Sequence, residues 1–240
     1  MARFTHAMIL AAGRGKRMRP LTDTLPKPML SVGGQPLIEY HLHKLKAAGV
    51  EIVVINHAWL GAAMQQALGD GSRFGVKIIW SAEPEGGLET AGGIVRALPH
   101  LGGADFIVVN GDVWSDYDYR LLPPLDASRD GHLVLVDNPE HHHQGDFAIE
   151  QERLVFAQGE RESLTFAGIS VLHTRLFHGL DDSFHKLRPV FEHAIAAQRL
   201  YAEHYQGYWC DVGTPERLKA LDAWITAREA NAKGSLCGDA

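Results

Sequence analysis

The stretch from Ala7 to Leu30 constrains this 240-residue chain more than any other part of it. A short apolar run, Ala7 to Ala11, feeds Ala12-Gly13-Arg14-Gly15 and then a basic loop, Lys16-Arg17-Met18-Arg19-Pro20. Pro26-Lys27-Pro28-Met29-Leu30 follows. A buried strand that runs straight into a glycine pair fits the carboxyl edge of an open α/β sheet, where such folds bind ligands. Between Arg14 and Lys27 five basic residues stand against one acid, Asp23, although the whole chain carries a formal charge of −6. The positive excess is therefore local. Glycines let backbone N–H groups approach an anion, and Arg and Lys heads add charge-assisted hydrogen bonds, so the segment reads as a polyphosphate cradle.

Spacing excludes two familiar phosphate loops. A Walker loop needs Gly-Lys-Ser/Thr, but Lys16 is followed by Arg17, so no hydroxyl is placed for a metal. A dinucleotide fingerprint needs a third glycine where Met18 stands, and Pro20 prevents a helix from starting cleanly behind it. The acidic balance argues against nucleic-acid binding, and no apolar run is long enough to span a bilayer. Cys210 and Cys237 have neither a disulfide framework nor metal-ligand spacing. With no signal-peptide pattern at the N-terminus, a cytoplasmic location is the default expectation.

Periodicity places strands at 6–11, 52–55, 76–80 and 106–109, alternating with helices that open at Pro36, Ala58 and Thr90. That alternation predicts a parallel sheet flanked by helices. After about residue 130 strands follow one another without helices (132–136, 146–149, 154–156 and 165–172), which predicts a more antiparallel lobe. Helices at about 187–198 and 215–230 enclose a short strand pair. Tyr117, Tyr119, Trp59 and Trp80 read as packing residues, and His141-His142-His143 as a solvated loop rather than a metal site.

Two carboxylates stand out. Asp112 ends the 106–109 strand in Asn110-Gly111-Asp112, as a Mg²⁺ ligand beside the phosphate site or as an ordinary turn residue. Asp211 precedes Thr214-Pro215, which already supply a helix cap and first helical residue, leaving Asp211 no obvious local duty.

Leu10-Ala11-Ala12-Gly13-x-Gly15-x-Arg17-Met18-x-Pro20-Leu21-Thr22, with the Pro-Lys-Pro segment, resembles the signature of the sugar-1-phosphate nucleotidyltransferases. The resemblance implies a Rossmann-like, mostly parallel mixed sheet with a smaller antiparallel sugar lobe, the GT-A-like nucleotidyltransferase fold. It implies one domain over 1–231, with a nucleotide part to about 125, a sugar lobe at about 130–205 and a closing helix at about 214–231; the small, polar composition of 232–240 predicts a disordered tail. By resemblance Ala11, Ala12, Gly13, Arg14, Gly15, Lys16, Arg17 and Gly87 bind the nucleotide, and Arg17 and Lys27 are catalytic. Asn110, Gly145 and Glu160 contact the sugar, and Asp112 and Asp211 hold Mg²⁺.

The chain departs from the family pattern on the sugar side. The family's Glu-Lys-Pro is replaced by Gly159-Glu160-Arg161-Glu162-Ser163, and its Asn-Ala-Gly by Phe166-Ala167-Gly168. Within the family these departures look most like the N-acetylmuramate-1-phosphate uridylyltransferases, which implies UTP and a sugar 1-phosphate as substrates. Glucose 1-phosphate with dTTP or UTP, mannose 1-phosphate with GTP, an idle nucleotide-sugar sensor and a redox Rossmann enzyme are the competing readings. Self-association into a homo-oligomer is left open.

Overall fold

The computed structural model describes residues 3–157 and 161–236. Its centre is one nine-stranded mixed sheet. Strands β1 (His6–Leu10), β4 (Ile52–His57), β5 (Lys77–Ala82) and β6 (Asp105–Asn110) lie parallel in the order β5-β4-β1-β6. The small hairpin β2 (Ser31–Val32) and β3 (Gln35–Pro36) precedes helix α1 (Leu37–Ala47), so Pro36 ends a strand and the helix opens one residue later than its sequence suggests. Helix α2 (Gly61–Leu68) also starts late, because Leu60 takes φ 53°, and α3 (Glu89–Ala97) follows β5.

The sheet continues past β6 through β11 (Thr165–His173), β8 (Gly131–Val136), β12 (Leu200–His204), β10 (Arg153–Val155) and β9 (Ala148–Glu150). The second half thus extends the first sheet instead of building a separate one. It is also less antiparallel than its helix-free pattern suggests, since β12 runs parallel to β8. The expected strand pair between the last helices is a misreading: β12 joins the main sheet, while β13 (Trp209–Asp211) pairs antiparallel with β7 (Val113–Ser115). Each strand found the partner with which it could bury its own side chains, and sequence adjacency did not decide it. The last helix, α5 (Pro215–Leu236), continues through the first residues of the segment expected to be a disordered tail.

Alternation within the strands explains the layers. In β1, Ala7 and Ile9 face a core with Ile38, Leu42 and Leu45 of α1 and Met64 and Leu68 of α2. Met8 faces the opposite core, with Ala91, Ile94 and Ala97 of α3 and Phe191, Ala194 and Ile195 of α4 (Leu187–Ala196). Fully apolar central strands and helices on both faces follow from this two-sided burial. Among the described residues, no helix is long and apolar enough to cross a membrane.

Candidate active site

Beyond the carboxyl ends of β1, β4 and β6 lies a cleft of about 730 Å³. One end is cationic, lined by Arg14, Lys16 and Lys27 beside Asp112. The other is lined by Asn56, Glu83, Gly86, Gly87, Glu89 and Thr90. Ala11, Ala12, Gly13 and Asn110 line the floor between them. Arg17 and Gly15 are not part of the wall. Arg17 is exposed on a single 3-10 turn, Lys16–Met18, and Gly15 turns the loop at φ 62° with its carbonyl accepting from Thr22 Oγ1 at 2.8 Å. A Cβ on Gly15 would meet Thr22 Cγ2 at 3.0 Å, so this glycine serves the turn.

Lys27 is held down by its Pro-Lys-Pro setting. The turn Lys27–Met29 buries it, and its ammonium donates to Asp112 Oδ2. Asp112 and Asp211, far apart in the chain, are brought together by the β7–β13 ribbon. Asp211 stands opposite Val113, and Val212 N–H donates to the Asp112 carbonyl at 2.8 Å. Asp211 already has partners. Arg217 Nη1 donates to its two oxygens at 2.7 and 2.9 Å, and His141 Nε2 lies 3.0 Å from Oδ1. Gly213 makes that possible, because a Cβ there would sit 1.9 Å from Arg217 Nη2.

His141, Arg217, Asn56 and Glu83 are site residues that the sequence reading missed. The triple histidine is not a plain solvated loop: His141 touches Asp211, and His142 Nε2 lies 3.2 Å from Asp146. The three rings do not gather on one ion, and no cluster of three or more His, Cys, Asp or Glu suited to a metal occurs among the described residues. Trp59 likewise does more than pack. It lines the cleft with the Arg14 guanidinium over its ring, whereas Tyr117 and Tyr119 are buried as expected. At the far end, Asn56 Oδ1 accepts from Ala11 N–H at 2.7 Å, and its Nδ2 donates to Glu83 at 2.6 Å. The other Glu83 oxygen accepts from Leu88 N–H at 2.8 Å. One signal was available in the sequence: Asn56 is a polar residue closing a run of buried β-branched residues.

Of the residues expected at the sugar, Asn110 lies against Gly168, whose φ is 71° and whose added Cβ would stand 2.5 Å from Asn110 Nδ2. Gly145 is outside the cleft wall, at φ 60°, and a Cβ there would meet Asn138 Oδ1 at 2.7 Å. Its first duty is therefore to the turn that ties residues 138–146 to Ser163 and Thr165. Glu160 lies outside the described residues. Beneath β7, burial pushes the Lys44 ammonium down to about 8, and it donates to the carbonyls of Ser115 and Tyr117, anchoring the ribbon to α1.

A family model described as nucleotidyl transferase matches residues 6–147. The chain belongs to the nucleotidyl transferase family. It is 49% identical over 223 residues to the N-acetylmuramate alpha-1-phosphate uridylyltransferase of Neisseria meningitidis serogroup B, covering 90% of this chain and 96% of that relative. It is 31% identical to the protein of the same name from Caulobacter vibrioides, over 90% and 95% of the two chains. The mannose-1-phosphate guanylyltransferase of Mycobacterium tuberculosis is 32% identical, with 88% of this chain matching 61% of that relative. Among solved structures, the inositol-1-phosphate CTP transferase from T. maritima superposes with a TM-score of 0.75 at 18% identity, over 94% and 96% of the chains, which shows a shared fold. Membership makes the chain a nucleotidyltransferase and displaces the redox reading.

Proposed function

We propose that this enzyme joins UTP and N-acetylmuramate 1-phosphate to give UDP-N-acetylmuramate and pyrophosphate, returning a cell-wall sugar to its activated form. A phosphate oxygen of the sugar 1-phosphate forms a bond to the α-phosphorus while the bond from that phosphorus to the β-phosphate's bridging oxygen breaks, and pyrophosphate leaves with the electron pair. The attacking phosphate has a second pKa of about 6, so it arrives largely deprotonated and needs no general base. Catalysis then rests on position and charge.

The observation that carries this reading is the meeting of the basic loop, Lys27 and Asp112 in a single cleft, with Asp211, outside the cleft wall, paired beside Asp112 by the β7–β13 ribbon, and with the relative in Neisseria naming the substrates. Arg14 and Lys16 take the polyphosphate, Arg17 reaches the β- and γ-phosphates from the outer side of the loop, and Lys27 takes the α- and sugar phosphates. Gly87 and its neighbours receive the base, and Asn110 and the Gly145 and Glu160 segments receive the sugar.

Two hard carboxylates, Asp112 just before β7 and Asp211 at the end of β13, suit Mg²⁺, which commonly takes one or two carboxylates plus substrate phosphates. Asp112 and Asp211 would hold it, and it would supply charge neutralisation to the phosphates. A matrix of nucleoside triphosphates against sugar 1-phosphates, read by pyrophosphate release, tests the assignment. The expected outcome is that UTP with N-acetylmuramate 1-phosphate leads; a clear preference for GTP with mannose 1-phosphate or dTTP with glucose 1-phosphate would replace it. Lys27→Ala should lower kcat at least about tenfold with little loss of thermal stability, since one charge-assisted contact made in the transition state is removed.

A further inference from the structure

Two cations of the cleft, Lys27 and Arg14, are held in different ways. Lys27 is paired with Asp112, but no ion pair among the described residues includes Arg14. The Arg14 guanidinium instead lies over the indole of Trp59, its central carbon 4.5 Å from the ring centroid. The ring is itself pinned, because Trp59 Nε1 donates to the Thr22 carbonyl at 3.1 Å. Thr22, 2% exposed, donates in turn from Oγ1 to the Gly15 carbonyl at 2.8 Å. Trp59 is thereby fastened to the basic loop whose arginine it supports.

We propose that Trp59 is a positioning residue for polyphosphate: it holds Arg14 in the cleft without neutralising it. A carboxylate could fix the guanidinium equally well, but it would cancel the charge, and that pair would have to break when a phosphate arrived. An aromatic face attracts the cation through its quadrupole and leaves the N–H fork free for bidentate contact with phosphate. Arg14 is then a preorganised, unspent cation of the cleft, and Trp59 acts only through it. The inference rests on the reading of this cleft as a nucleotide site, and its test keeps the two apart.

The test is calorimetric titration of the full-length protein with inorganic tripolyphosphate, a probe that requires no turnover. Wild type is compared with Trp59→Leu, Arg14→Gln and the double variant, alongside thermal melting. Trp59→Leu should weaken binding about threefold to thirtyfold, the span expected of a cation over a ring from exposed to partly desolvated surroundings. Trp59→Phe should recover part of the loss. In the Arg14→Gln background, Trp59→Leu should change Kd by less than about twofold. Should Trp59→Leu fail to fold, the cycle is read with Trp59→Met, which fills the same space without an aromatic face. An unchanged Kd, or the same loss in both backgrounds, overturns the proposal. If wild type does not bind tripolyphosphate at all, the nucleotide-site reading falls and the proposal falls with it.

Discussion

Asn56 is the residue whose removal should disturb the cleft most for its size. It is 3% exposed, and it joins three elements: the end of β1 through Ala11 N–H, the β5–α3 loop through Glu83, and its own strand β4. Asn56→Ala leaves the buried Ala11 N–H without an acceptor, a loss of about 1–3 kcal/mol, and removes a hydrogen bond to a carboxylate worth about 1.5–3 kcal/mol. Glu83 is half-buried and keeps its bond from Leu88 N–H, so we take the lower part of the combined range, about 2.5–4 kcal/mol. At roughly 2–4 °C per kcal/mol for a chain of this size, the melting temperature should fall by about 5–15 °C. Because Asn56 ties Ala11 and Glu83, two parts of the cleft wall proposed to hold the nucleotide, KM for the nucleotide should rise more than kcat falls. Asn56→Asp sharpens the test. It keeps the acceptor for Ala11 but sets a second carboxylate at the 2.6 Å contact now made to Glu83. Two carboxylates so close cannot both ionise, so the folded pair keeps a proton above its unfolded pKa. Stability is then fully present below about pH 4 and is lost as pH rises through the elevated folded value. Differential scanning fluorimetry at pH 5, 6.5 and 8 should therefore show the Asn56→Asp deficit growing with pH. An Asn56→Ala protein melting within about 2 °C of wild type, or a pH-independent Asn56→Asp deficit, would refute the reasoning.

Three further outcomes are expected. Burial pushes His41 down to about 4, so the unfolded chain, with its ordinary value near 6.5, binds the proton more tightly. Stability should then fall as pH drops from about 6.5 towards 4, by about 2 kcal/mol at pH 5, and denaturant melts of His41→Leu should lack that part of the slope. Gly213→Ala would press on the Arg217 guanidinium and separate it from Asp211. On the proposal that Asp211 holds Mg²⁺, the Mg²⁺ concentration for half-maximal rate should then fall about threefold or more. A lowered melting temperature with unchanged metal dependence would mean that Gly213 serves the fold alone. Glu89 holds φ 59° at the cleft wall, a strain of about 1–3 kcal/mol for a residue with a Cβ. Glu89→Gly loses a favourable acid at the start of α3, worth about 0.3–1 kcal/mol, so the net gain should be about 1 kcal/mol and the melting temperature should rise by roughly 2–4 °C. A fall in melting temperature would count against the strain.

The part of the site that was legible in the sequence is the part built locally. The apolar run of β1, the glycine turn and the Pro-Lys-Pro clamp are contiguous, so their spacing alone specifies a cradle. Asp112 was legible for the same reason, as the residue just beyond a buried strand. The partners of Asp211 were not. His141 reaches it from a distant loop, and its neighbours in sequence say only that the loop is polar. Arg217 was closer to view, since Gly213 leaves room for a long side chain to fold back, but nothing in the sequence says which side chain. The architecture divides in the same way. Strand periodicity marked the elements of the second half, yet period alone cannot say whether a strand extends an existing sheet or begins another. That is why β12 and β13, neighbours in sequence, were read as a pair and join different partners.

What fixes the two acidic residues relative to the basic loop is a satellite core rather than the main sheet. Met18 of the loop, Leu30 after the clamp, Trp114 of β7 and Val212 after β13 share one apolar cluster with Leu221 and Ile225 of α5. The hairpin turn between β2 and β3 is tied to the same helix, with Gly33 N–H donating to Asp222 Oδ1 at 2.8 Å. Lys16, Lys27 and Asp112 of the cleft each stand within a few residues of a side chain buried against α5, and although no described residue of α5 lines the cleft, its Arg217 pairs with Asp211. Burying a side chain such as Leu or Ile contributes about 1.5–3 kcal/mol, several times what an exposed ion pair supplies. Under the proposed function, the ion pairs of the site can then exchange partners when phosphates enter without loosening the frame that holds them. A site assembled by its own charges would lose its geometry at the moment those charges were used; this one is assembled by apolar contacts and keeps its charges for the ligand.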